Sequence, residues 1–248
     1  MAISRHLNNA PITEALIDLR VRPPKSFQVE KLREPKKELR DHFPKLEELR
    51  RFEGGFQIKR GEASMFSKDT GLSGFRFKSE DGLTVVQFRV DGFTFSRLKP
   101  YTSWDAIFPE AWRLWLDYVE TAVPESVTRI AVRYINRLEV PLPFEEFSEY
   151  LEAPPALPPD VPQNVSSFLV KQVLHEPSSG IAVNFGQALE AGLADSKHAT
   201  IILDIDSYKV QEYEPQAQHL TEEFESLRRM KNLIFFNSIT EKTARLFE

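Results

Sequence analysis

Three rows of charge are the residues in this chain best suited to chemistry. Asp18, Arg20 and Arg22 recur at every second position, Arg129, Arg133 and Arg137 at every fourth, and Asp204 and Asp206 two apart. If each row lies on a strand, its side chains share one face of a sheet. A row of guanidinium groups offers forked donors to an anionic ligand or to the acidic surface of a partner. Two carboxylates on one strand face could share a divalent cation. A nuclease or phosphotransfer site would need a third carboxylate, for which Asp18 is the candidate. The plainer account is a solvated sheet face on which acidic and basic rows form cross-strand ion pairs. Asn136 falls among the apolar positions of the segment that carries the three arginines. There its amide must find partners or cost about 1–3 kcal/mol, so it is either a structural brace or a ligand contact.

Other chemistries find little support. The chain has no Cys, which removes disulfides, thiolate zinc sites and cysteine nucleophiles. Its five histidines (His6, His42, His175, His198 and His219) show no paired ligand spacing. No GxSxG, P-loop or GxGxxG is present. A net charge of -5 disfavours a general nucleic-acid binder. The first ten residues lack the apolar run of a signal peptide, and no stretch reaches the roughly 18 apolar residues of a membrane span. The expectation is therefore a cytoplasmic protein, with no membrane and no cofactor.

The elements that must position these residues follow from periodicity. Ala15, Ile17, Leu19 and Val21 alternate with Asp18, Arg20 and Arg22, the pattern of a half-buried strand. Val29, Leu32, Leu39 and Phe43 have helical spacing that Pro35 divides into two short helices, and residues 47–52 extend this helical layer up to Gly54-Gly55. Short strands follow at Phe56 and Ile58 and at Phe75 and Phe77. The turns Asp81-Gly82 and Asp91-Gly92 then join the strands of an antiparallel meander. Ser103 caps a helix whose stripe includes Trp104, Trp112 and Trp115, with Pro109 starting its main part. Residues 128–140 form a long strand with Ile130, Val132, Tyr134, Leu138 and Val140 behind the arginines. A short helix over 144–151, a proline-rich connector over 154–162, three further strands and a helix beginning near Pro215 come next. A capping box at Ser238–Glu241 opens a last helix. The fold class is α+β, with antiparallel sheets each packed on a long helix. Residues 1–124 and 125–248 read as two β-α-β(3–4)-α halves, a candidate duplication without residue-level repeat, or as one integrated domain.

Four segments carry a resemblance. Asn9-Ala10-Pro11-Ile12-Thr13-Glu14-Ala15-Leu16-Ile17-Asp18, Ser96-Arg97-Leu98-Lys99-Pro100-Tyr101, Arg133-Tyr134-Ile135-Asn136-Arg137 and Ile239-Thr240 followed by Phe247 span the chain. Together they resemble a sporadically distributed bacterial family of conserved hypothetical proteins of roughly this length. The resemblance implies a bacterial protein with the patchy occurrence of mobile or antiviral-defence genes, and it implies no activity.

These residues lead to three functional expectations. The first is a non-enzymatic interaction or regulatory module that binds a protein partner through a sheet edge, the proline connector or a surface of Arg20, Arg22, Arg129, Arg133, Arg137 and Asn136, with homo-oligomerisation compatible. The second is a small-molecule-binding fold with a pocket near Trp104, Trp112 and Trp115. The third is a metal-dependent nuclease or phosphotransfer enzyme using Asp204 and Asp206.

Overall fold

Alternation along the chain builds most of the structure. A computed structural model describes residues 1–59, 62–190 and 197–248, with the side chains of residues 55–67 outside the description. Which faces Phe56 and Ile58 present therefore lies outside the described side chains. Strand β1 (Ile12–Arg22) buries Ala15, Ile17, Leu19 and Val21 on one face, as the period of two requires. Pro35 separates a 3-10 turn (Val29–Arg33) from the short helix α1 (Lys37–His42), and Leu32 and Leu39 are inward on both.

The expected helix over 47–52 is instead part of β2 (Lys45–Lys59), which pairs along its length with β3 (Glu62–Lys78). Leu46 and Phe52 are exposed, so the segment has no buried apolar stripe of the kind a helix in this layer would need. Cross-strand pairs hold the hairpin: Glu47 accepts from Lys78 at 2.6 Å and from Arg76 at 3.2 Å, and Arg50 donates to Asp69 at 2.7 Å. Tertiary pairing has overridden local helical preference.

The meander follows as expected. Asp81-Gly82 leads to β4 (Thr84–Arg89), and Asp91-Gly92 to β5 (Gly92–Leu98). Glycine is required at position 92 because an added Cβ would lie 2.3 Å from the Leu19 carbonyl oxygen of the neighbouring strand. Ser103 caps α2 (Trp104–Ala122), its Oγ accepting from Ala106 N–H at 3.2 Å. Pro109 lies within this continuous helix and does not begin a second one.

The long strand β6 (Ser126–Pro141) buries Ile130, Val132, Tyr134, Leu138 and Val140. The expected helix near 144–151 is only a 3-10 turn (Phe147–Glu149). Strands β7 (Phe168–Glu176), β8 (Ile181–Glu190) and β9 (His198–Tyr213) precede α3 (Leu220–Ser238) and α4 (Glu241–Arg245). The cap of α4 is Thr240, which accepts from Thr243 N–H at 3.2 Å. The expected cap, Ser238, ends α3 and donates back to the Ile234 carbonyl.

The expected separate sheets are one. The nine strands of the described residues are antiparallel neighbours in the order β2-β3-β4-β5-β1-β6-β9-β8-β7. β1 bonds to β5 on one side and to β6 on the other, so each satisfies the backbone edge of the next and no edge is left at the middle of the chain. A single apolar cluster runs across both halves. In it Trp115 and Tyr118 of α2 meet Phe93 and Phe88, while Phe224 of α3 meets Phe108. Among the described residues no helix is long and apolar enough to cross a membrane.

Candidate functional site

The strand order brings the charged rows together on the polar face. Asp18 of β1 accepts from Arg89 at 2.9 Å and from Thr94 at 2.8 Å, and is contacted by Arg20 at 3.2 Å and Arg129 at 3.3 Å. Arg129 reaches across to Asp206 of β9 at 2.9 Å, with its guanidinium over the Tyr208 ring, and Asn184 of β8 donates to the same carboxylate at 2.9 Å. Arg133 forks onto Asp204 at 2.8 and 2.5 Å. Arg137 reaches Glu190 at 2.6 Å, and Arg22 reaches Glu212 at 2.8 Å.

The arginines proposed from sequence thus share one surface, but each is matched by a carboxylate of the same chain. Burial pushes the Asp18 carboxyl up, yet the Arg89 and Arg20 charges outweigh it and hold it below the usual range. Asp204 and Asp206 are both engaged by guanidinium groups, and Arg129 stands between Asp206 and Asp18. Among the described residues no group of three or more metal-ligating side chains gathers.

On the opposite face lies a cavity of about 260 Å³. Its walls come from the N-terminal segment, the start of β1, the turn before α2, Asn136 of β6 and the inner side of α3. The N-terminal segment is tied to the C-terminus: Ala2 N–H donates to the Phe236 and Ile239 carbonyls, Asn9 N–H to that of Phe247, and Arg5 pairs with Glu241 and Glu248. Arg137 N–H donates to the Pro11 carbonyl at 2.8 Å, and Thr13 Oγ1 to that of Ile135 at 3.0 Å, which fixes the start of β1 against β6. Asn136 is 2% exposed, and its amide donates to the Leu203 carbonyl at 3.1 Å and that of Tyr134 at 3.3 Å. It braces the sheet while also lining the cavity.

Of the three tryptophans expected around a pocket, Trp104 lines this one. Trp115 is core, donating to the Pro215 carbonyl, and Trp112 faces a separate shallow groove. Ala10, Pro11 and Ile12, Tyr101, and Asn136, from three of the four segments singled out in sequence, all lie in the cavity wall.

Sequence reasoning missed the most unusual residue of the site. Lys231 of α3 is 8% exposed and lines the cavity, its ammonium 3.7 Å from the centre of the Tyr134 ring. No carboxylate lies within ion-pairing distance of it among the described residues. Burial, aided by repulsion from Arg228, pushes its pKa down to about 7. The Tyr134 and Tyr101 hydroxyls are 3.3 Å apart beside it, and burial raises both phenols. Arg228, one turn away, pairs with Glu225 at 3.2 Å, and Glu225 also accepts from the Trp104 indole. A signal existed in the sequence: Leu220, Phe224, Leu227 and Lys231 fall on one helical stripe, so a lysine occupies an inward position of an apolar face. The chain matches no protein-family model, and no curated protein is similar to it in sequence.

Proposed function

We propose that this chain is a small-molecule-binding protein whose site is the cavity between the N-terminal segment and α3. The carrying observation is Lys231, a buried cation that opens onto the cavity without a carboxylate partner among the described residues. Such a group costs stability, and a bound ligand is what would offset the cost. Asn136 and Trp104 supply a polar and an aromatic wall, the mix of groups that small-molecule sites use. Screening the full chain by thermal shift and native mass spectrometry against a metabolite library is expected to give at least one compound that raises Tm. The rise should disappear in Asn232→Trp, which fills the cavity from the half-buried Asn232 on its wall. A compound that binds this variant as well as the native chain would place the site elsewhere.

A protein partner is the second reading, favoured by one observation. β7 is an edge strand, and its Leu169 and Val173 are 67% and 57% exposed. An unpaired strand edge with apolar side chains is a template for strand addition. A stoichiometric partner recovered from native-host extract should be lost with Leu169→Asp/Val173→Asp. Retention of that partner, or recovery of none, would rule this reading out. A duplicated β-α-β(3–4)-α plan, with a 3-10 turn as the first helix of the second half, is further favoured because β1 and β6 meet at the middle of the strand order and α2 and α3 each follow the last strand of a half. A superposition of the halves that leaves α2 off α3 would refute it.

A further inference from the structure

The charges that face the cavity limit what it can hold. From α3 come Lys231 and Arg228; from the N-terminal segment, Arg5 and His6; from the turn before α2, Tyr101, whose hydroxyl is 3.3 Å from that of Tyr134. Arg5 is already held by Glu241 and Glu248, and Arg228 is shared with Glu225 and the Trp104 ring. Among the described residues Lys231 has only the face of Tyr134. Two cations therefore sit one helical turn apart on the same wall, and the one deeper in the protein has no counter-charge among the described residues. Amide and hydroxyl groups of Asn232, Thr102 and Ser103 stand around the same space.

Resting on the reading of this cavity as a small-molecule site, we propose that its ligand carries an anionic group, a carboxylate or a phosphate, which Lys231 binds as an ammonium ion with Arg228 as the second cation. The anion supplies the counter-charge that the fold withholds. Without ligand, burial and Arg228 favour the neutral amine; an anion in hydrogen-bond range reverses that preference. Binding above pH 7 is accordingly accompanied by uptake of a proton from solvent onto Nζ.

The test is an NMR titration of the full chain at fixed ionic strength with three probes: inorganic phosphate, benzoate, and benzamide as the neutral counterpart of benzoate. Phosphate or benzoate is expected to shift the Asn136 side-chain amide and the Lys231 Cε resonance saturably, with the titration midpoint of Lys231 moving upward on binding. Lys231→Met should weaken that binding at least tenfold, and Lys231→Arg should retain most of it, which separates loss of charge from loss of fold. Benzamide binding as well as benzoate, or anion binding unchanged in Lys231→Met, would overturn the anionic class and leave the cavity reading standing. Silence from all three probes would also overturn it, and the library screen would then decide the cavity reading by itself.

Discussion

Lys231→Met is expected to make the ligand-free protein more stable at pH 7, by roughly 1–4 kcal/mol, the range found when buried charge is replaced by a well-packed apolar side chain of similar volume. Lys231 is 8% exposed, and its pKa falls from 10.5 in the unfolded chain to about 7 in the folded one. The unfolded chain therefore binds the proton more tightly between these two values. Below pH 7 both forms are protonated and the folded protein bears the whole cost of the buried ammonium. As pH climbs from 7 towards 10.5 that cost is relieved, by about 1.4 kcal/mol per pH unit. The Tyr134 ring, 3.7 Å from the nitrogen, favours the charged form and so limits the total cost. The stability difference between variant and native protein should thus be largest below pH 7 and shrink towards pH 10, as read from urea unfolding of both at each pH. A variant less stable than the native chain at pH 7, or a difference that does not change with pH, would remove the physical basis for treating Lys231 as a functional residue. A side chain that lowers stability and loses ligand binding when replaced would be ordinary; one that raises stability and loses binding marks a site.

Asp18→Ala is the complementary case, expected to cost about 3 kcal/mol at pH 7, because removing one partner of a buried ionic cluster leaves the others uncompensated. Asp18 and Arg89 have side chains 15% and 14% exposed, and Arg20 and Arg129 share the same carboxylate. Its depressed pKa gives a contribution that is present above the ordinary carboxylate value of 3.8 and lost as pH falls through the lower folded value. The gap between native and variant stability should therefore narrow as pH falls below 3.8. The exposed pair Arg22 and Glu212, 2.8 Å apart with side chains 53% and 59% exposed, is the internal control. Its disruption should cost less than about 1 kcal/mol. Equal small losses from both would mean that the ladder contributes no more than a surface pair.

These two residues also show where sequence and structure part. The strand content was legible because burial on one side imposes a period of two: Ala15, Ile17, Leu19 and Val21, and likewise Ile130, Val132 and Tyr134, declare an inner face, and their intervening charges declare an outer one. The turns Asp81-Gly82 and Asp91-Gly92 were legible because backbone sterics restrict what those turns accept. The segment over 47–52 was misread because it directly follows a helical layer, whereas its pairing with β3 is non-local and leaves Leu46 and Phe52 exposed.

By itself, then, the sequence determined the inward faces of β1 and β6, most of the strands and that Arg129, Arg133 and Arg137 project together. Strand order was decided only in three dimensions, because hydrogen bonding between β1 and β6 joins residues more than 100 positions apart, such as Leu16 and Arg133, and no local pattern encodes that choice. That order turned an apparently open row of arginines into one neutralised by Asp18, Asp204, Asp206 and Glu190. It also placed Pro11, Tyr101, Asn136 and Lys231 around one cavity. A charge is defined by its surroundings, and those surroundings are assembled from distant parts of the chain.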